Sequence, residues 1–162
     1  MIVVSDTTPL HYLVLINRAD VLPALFMDVY TPPEVLRELQ HPRTPDVVRR
    51  WAQAPPDWLK VRAPAMVGAT PPSLDPGEAQ AIALAQELGA NLLLIDEREG
   101  RKIALRQGLN VVGTLAVLER ASEKNLLELK QALDDLQQTN FRIHPRYIQA
   151  ALHRDSIRRG QR

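Results

Sequence analysis

Two aspartates stand where an α/β chain places its chemistry. Ile2-Val3-Val4 is a short β-branched run that breaks at Ser5-Asp6-Thr7-Thr8, and Leu92-Leu93-Leu94-Ile95 is a continuous apolar run ending in Asp96. In open α/β sheets the working residues gather at the carboxyl ends of the strands. If these strands are neighbours, Asp6 and Asp96 face one another, and two like charges that close are costly unless a proton or a cation relieves them. A hard divalent ion, Mg²⁺ or Mn²⁺, is the expected relief, because it takes carboxylate oxygens and water. Glu78 shares a helical stripe with Ile82 and Ala85, and Glu38 stands between Val35 and Leu39 beside a buried face. Acids from separate elements can therefore converge on one end of a sheet, which suits one or two metals that activate water against a phosphate ester.

Each acid also has a plainer reading. Asp75 and Glu78 fit an N-cap and its partner three residues on, and so do Asp96 and Glu99. Asp6 could close a turn, and Glu38 could be a solvated charge on a surface helix. The joint placement at strand ends separates the two readings better than any one residue does.

The elements that must position these groups follow from pattern. Pro9 suits the first turn of a helix, with Thr7 or Thr8 as cap, and Leu10 to Ile16 is apolar on most sides. Further helices are predicted over Val21 to Phe26, from Pro32-Pro33 to Leu39, over Pro45 to Gln53, and from Asp75-Pro76-Gly77-Glu78 to the stop at Gly89. Others are predicted over Glu97 to Gln107, Leu115 to Ala121 and Leu126 to Leu136. Val29-Tyr30 and Val111-Val112 read as short strands, Trp58 to Arg62 as an edge strand, and the proline-rich Ala63 to Pro76 as a loop. The alternation predicts a three-layer α/β/α sandwich with a mostly parallel central sheet, in one domain. Residues 1–140 form its body, and residues 141–162 a helical appendage with a basic tail.

The chain resembles the PIN domains. Val4-Ser5-Asp6-Thr7-Thr8-Pro9-Leu10 is similar to their opening strand and first metal-binding aspartate, and Pro32-Pro33-Glu34-Val35-Leu36-Arg37-Glu38-Leu39 to their second acidic motif. Leu74-Asp75-Pro76-Gly77-Glu78-Ala79-Gln80-Ala81-Ile82 and Leu94-Ile95-Asp96-Glu97-Arg98 resemble the third and fourth, and Val112-Gly113-Thr114-Leu115 a closing turn in VapC-like members. The resemblance spans about Ile2 to Leu136. It implies an endoribonuclease dependent on Mg²⁺ or Mn²⁺, with RNA as substrate, often the toxin of a toxin–antitoxin pair held by a small antitoxin protein. Carried onto this chain, Asp6, Glu38, Glu78 and Asp96 are the metal-binding, catalytic carboxylates. Thr7 or Thr114 would hydrogen-bond a metal-bound water or a phosphate, and Asp75 and Glu99 would be ligands, supports or caps.

The totals exclude more than they assert. The 162 residues are 45% hydrophobic and 24% charged, with a formal net charge of +1 and no cysteine. Disulfides, thiolate zinc sites and cysteine nucleophiles are excluded, and a cytoplasmic location is expected. No apolar run approaches the ~20 residues of a membrane span. Phosphate binding must come from local clusters: Arg98, Arg101 and Lys102 after Asp96, or the tail with Arg142, Arg146, Arg154, Arg158, Arg159 and Arg162, which otherwise reads as a solvated or disordered terminus. His11, His41, His144 and His153 lack metal-ligand spacing, and His11 reads as a packing residue. Trp51, Trp58 and Tyr30 read as too scattered for a base-stacking platform. There is no Gly-rich phosphate loop and no nucleophile elbow. A haloacid dehalogenase-like phosphatase would need a second aspartate where Thr8 stands. The runner-up is an inactive PIN-like module that binds protein or RNA. A homodimer is expected from the apolar helices Leu10 to Ile16 and Val21 to Phe26.

Overall fold

The computed structural model describes residues 1–160, so Arg162 of the basic tail lies outside the described residues. The chain forms two compact units, one over residues 1–114 and one from Leu115 onward. The first contains β1 (Val3–Ser5), α1 (Thr7–Leu15), α2 (Val21–Phe26), β2 (Val29–Thr31), α3 (Pro33–Leu39), α4 (Asp46–Gln53) and β3 (Leu59–Val61). It continues with α5 (Pro76–Leu88), β4 (Leu92–Leu94), α6 (Arg98–Arg106) and β5 (Val111–Val112).

The five strands form one sheet in the order β3-β2-β1-β4-β5, and every described ladder is parallel. Helices flank this sheet in the α/β/α arrangement that the alternation predicts. The chain first builds outward from β1 through β2 to β3, then returns to β1's other side with β4 and β5. The order reverses between β1 and β4, and that reversal opens a crevice at the strands' carboxyl ends. The register pairs Ser5 with Leu94, and the Asp6 backbone N–H donates to the Leu94 carbonyl at 2.9 Å.

β1 and β4 are buried throughout, which is why both read as unbroken apolar runs rather than as alternation. Val4, Leu93 and Ile95 pack in one cluster with Leu74, Ile82, Leu84 and Ala85 of the α5 region and Ile103 and Ala104 of α6. Leu10, Leu13 and Val14 of α1, and Val21, Leu22 and Phe26 of α2, are buried within the chain itself. The apolar character of those two helices is therefore spent internally, and it no longer argues for a second copy.

Local chemistry shifts several boundaries. The N-cap position of α1 is Asp6 rather than Thr7 or Thr8, and its carboxylate makes no capping bond. α6 starts at Arg98 because Glu97 caps it, accepting from the Gly100 N–H at 2.7 Å, so Asp96 and Glu99 do not form the expected box. β3 lies at the sheet edge, as its loose alternation predicts.

The second unit holds α7 (Thr114–Glu123) after its first residue, α8 (Leu129–Gln137) and α9 (Pro145–Gly160). α8 begins three residues later than its pattern predicts, after Asn125 takes a positive φ of 60°. The basic tail is not disordered over its described part: it is α9, whose Asp155 is buried. Asp155 accepts from the Ser122 hydroxyl at 2.8 Å and pairs with Arg158 and Arg159. Arg154 makes two hydrogen bonds to Glu119, at 2.8 and 3.0 Å. Among the described residues no helix is long and apolar enough to cross a membrane.

Leu93 is fully buried in the central strand β4. Leu93→Ala is expected to cost about 2–5 kcal/mol through lost burial and the cavity it leaves, read as a lower midpoint in urea unfolding.

Candidate active site

Asp6, Glu38, Glu78 and Asp96 all belong to the first unit, and the structure brings them to the end of the sheet where the strand order reverses. Asp6 follows β1 directly and is 2% exposed. Its Oδ1 is buried and accepts no hydrogen bond from any described residue. Burial pushes its pKa up to about 8, and the carboxylates of Asp75, Glu38 and Asp96 push the same way, while the Thr7 backbone amide opposes them.

Glu38 reaches in from α3. Its Oε2 accepts from the Thr7 hydroxyl at 2.6 Å and its Oε1 from the Gly77 N–H at 3.1 Å. Thr7 is thus engaged with a protein carboxylate. Burial raises the pKa of Glu38, and nearby Asp75 and Glu34 add to that, against the two hydrogen bonds. Gly77 leaves this carboxylate its place, since a Cβ there would collide with Glu38 Oε1 and force the side chain to shift.

Glu78 and Asp75 form the capping box of α5. Asp75 Oδ1 accepts from the Glu78 N–H at 2.7 Å, and Glu78 Oε1 accepts from the Asp75 N–H at 3.1 Å. The capping reading of this pair is therefore correct, yet it leaves an oxygen over. Glu78 Oε2 is buried without a hydrogen-bond partner among the described residues. Burial pushes the Glu78 pKa up to about 9, and the neighbouring carboxyls of Asp75 and Asp6 push the same way. Asp75 itself is exposed and close enough to raise Asp6 and Glu38 electrostatically.

Asp96 is clasped by the turn after β5. Thr114 donates its N–H to Oδ1 at 2.8 Å and its hydroxyl to Oδ2 at 2.6 Å. Burial raises the pKa of Asp96; the Thr114 donors and the Arg101 guanidinium lower it. Gly113 permits this clasp, since a Cβ there would lie 2.8 Å from Asp96 Oδ1 and 2.9 Å from Arg101 Nη1. Arg101 turns inward and donates to the Ile95 carbonyl at 3.3 Å, whereas Arg98 and Lys102 are exposed. Glu99, in the first turn of α6, makes no hydrogen bond or ion pair through its carboxylate with another described residue. His11 stacks on Tyr12 with ring centroids 4.6 Å apart, and burial lowers its pKa, as expected of a packing histidine.

The donors that orient these acids carry no sequence signal: Thr7 and Thr114 read as partners of a metal-bound water or phosphate, Gly77 as part of a helix start and Gly113 as part of a closing turn. The spacing to Glu38 and Asp96 is long-range, so no local signal could have paired them.

The donor set is all oxygen, which suits Mg²⁺ or Mn²⁺. Among the described residues no group of three or more Asp, Glu or His side chains is placed to hold a metal ion. Mg²⁺ does not need one, because it keeps several waters and takes one or two carboxylates. The lone oxygens of Asp6 and Glu78 fit such an ion: each is desolvated, and neither has a donor.

These features predict how metal and proton compete. Between the ordinary carboxyl range and about pH 8–9, the metal-free folded chain binds more protons at Asp6 and Glu78 than the unfolded chain does. Its stability from these groups is full at low pH and falls as pH rises through that window. Melting in chelator from about pH 5 to about pH 9 should show that fall. Asp6→Asn should flatten it and raise metal-free stability at the alkaline end by about 1–3 kcal/mol. Mn²⁺ affinity of the unaltered chain should rise over the same range, with protons released on binding, as calorimetry in buffers of different ionisation enthalpy reports. Gly77→Ala should displace the Glu38 carboxylate and weaken Mn²⁺ binding by about 10–100-fold.

The comparisons with known proteins agree with this architecture. No curated protein matches the chain. A PilT N-terminus domain protein from the hyperthermophilic archaeon Sulfolobus solfataricus P2 shares the fold with a TM-score of 0.51 at 16% identity, over 89% of this chain and 100% of that one. A family profile described as a PIN domain, whose members are typically metal-dependent nucleases, matches residues 2–156. On that match, which takes in nearly the whole sequence, the chain belongs to the PIN-domain family.

Proposed function

We propose that this chain is an endoribonuclease that hydrolyses RNA phosphodiester bonds with Mg²⁺ or Mn²⁺, and that it acts as the toxin of a toxin–antitoxin pair. The observation that carries the metal-dependent reading is the pair of buried, donorless oxygens, Asp6 Oδ1 and Glu78 Oε2, at the point where the strand order reverses. Two desolvated acid oxygens without donors are expensive to keep, and a bound cation would offset that cost. The antitoxin, the RNA substrate and a cytoplasmic setting are carried by the resemblance to VapC-like proteins.

Asp6 and Glu78 would hold the ion through their lone oxygens, and Glu38 and Asp96, both tied to protein donors, would add negative charge around it. Bound there, it supplies Lewis acidity for activating water and compensates charge on the scissile phosphate. The chain's own work is preorganisation. Thr7 and Gly77 fix the Glu38 carboxylate, so its rotamers are not searched anew at each turnover. Thr114 fixes Asp96 through both oxygens, and Arg101 limits the charge that builds up beside it. Burial of Asp6 excludes the bulk water that would screen these interactions.

Cleavage of a mixed RNA pool with Mg²⁺ or Mn²⁺ is expected to fall by about 10²–10³-fold in Asp6→Asn and in Asp96→Asn, with folding retained. An inert unaltered protein that binds no divalent ion overturns this reading and leaves the inactive binding module in its place. For the toxin role, induced expression should arrest growth in a manner lost with Asp6→Asn. Arrest that persists in that variant rules the role out.

A further inference from the structure

An acid-rich centre repels the polyanion it is proposed to cut. Cations elsewhere on the chain must hold the strand, and the edge strand β3 offers a row of them. Lys60 and Arg62 are exposed and stand two residues apart, so they project from one face of the strand about 6.6 Å from each other. The ladder still holds at Arg62, whose N–H donates to the Thr31 carbonyl at 3.0 Å. Neither cation makes an ion pair or side-chain hydrogen bond with another described residue.

Trp58 immediately precedes this row, in the turn that leads into β3, and its carbonyl accepts from the Val29 N–H at 2.9 Å. Its indole meets that of Trp51 from α4, with ring centroids 5.9 Å apart and planes tilted by 50°. Both rings are half-buried, and the exposed Arg50 adjoins Trp51. The tryptophans that read as too scattered to stack a base are thus side by side. β3 runs parallel to β2 and β1, so the row starts at the amino edge of the sheet and leads toward the end where the acids lie.

We infer that this edge is a single-stranded RNA subsite, in which the Trp51–Trp58 pair stacks an unpaired base and Lys60 and Arg62 take the phosphates that follow. Stacking needs a base free of its duplex, which selects single strands. Free cations beside an aromatic pair supply the charge complementarity that a protein partner would not require. As a guide for substrate, the subsite rests on the ribonuclease reading; as a binding surface, it does not need cleavage.

The chain has two tryptophans, and both belong to this pair, so its fluorescence reports on the subsite directly. The probe is a short 2′-O-methyl oligouridine, titrated in chelator so that no cleavage intervenes. Saturable quenching that weakens with salt is expected. Lys60→Ala combined with Arg62→Ala should bind roughly tenfold more weakly. Its salt slope should be shallower by about 1.4, the share of two phosphate contacts on a single strand. Its melting temperature should not move, because both side chains are exposed. If that double variant does not fold, the single changes Lys60→Gln and Arg62→Gln carry the same test. No saturable quenching, equal affinity for duplex RNA, or unchanged affinity in folded variants would each overturn the subsite. Quenching as expected, without any divalent-dependent cleavage by the unaltered chain, sinks the ribonuclease reading and leaves the RNA-binding edge standing.

Discussion

The parallel pairing of β1 with β4 places Asp6 and Asp96 at the ends of adjacent strands, and the fold must carry the cost of that adjacency. Buried like charges are unfavourable in any medium that cannot screen them. The chain answers by keeping Asp6 and Glu78 as acids that hold their protons far above the normal range, and by giving Asp96 and Glu38 dedicated donors. Two acids are thus left with one oxygen each that has no donor, and two are fixed through both.

That division follows from where each acid's support comes from. Asp96 is served by Thr114, whose backbone and hydroxyl both point at it from the turn after β5. Glu38 is served from two elements at once, by Thr7 at the start of α1 and Gly77 in the first turn of α5. Bare backbone at Gly77 and Gly113 lets these carboxylates come within contact distance of the main chain. Asp6 and Glu78 have no comparable donor for one oxygen each, and the capping box uses only one side of Glu78. A site with spare ligating capacity is less stable without its ion than with it, which is the usual trade of stability for function.

Membership of the PIN-domain family fits this arrangement, since a metal-dependent nuclease needs carboxylates that are both desolvated and held. The same physics makes the acidic end repel any polyanion.

Local pattern determined a good part of this protein. The apolar runs of β1 and β4, the aspartates that end them, the inward stripes bearing Glu38 and Glu78, and the Asp75–Glu78 box are all set by residues within a turn or two of each other. Short-range sterics, periodicity and capping decide such features, so they can be read from the chain directly. The tertiary structure alone decided which side chains meet. Thr7 finds Glu38 across 31 residues and Thr114 finds Asp96 across 18, while Glu97 displaces Asp96 as the cap of α6 and frees it for that contact. Trp51 and Trp58 meet because the turn between α4 and β3 brings the residue before the strand back against the helix. Packing selects one partner among many chemically equivalent donors and rings, and nothing within a few residues of either partner encodes that choice.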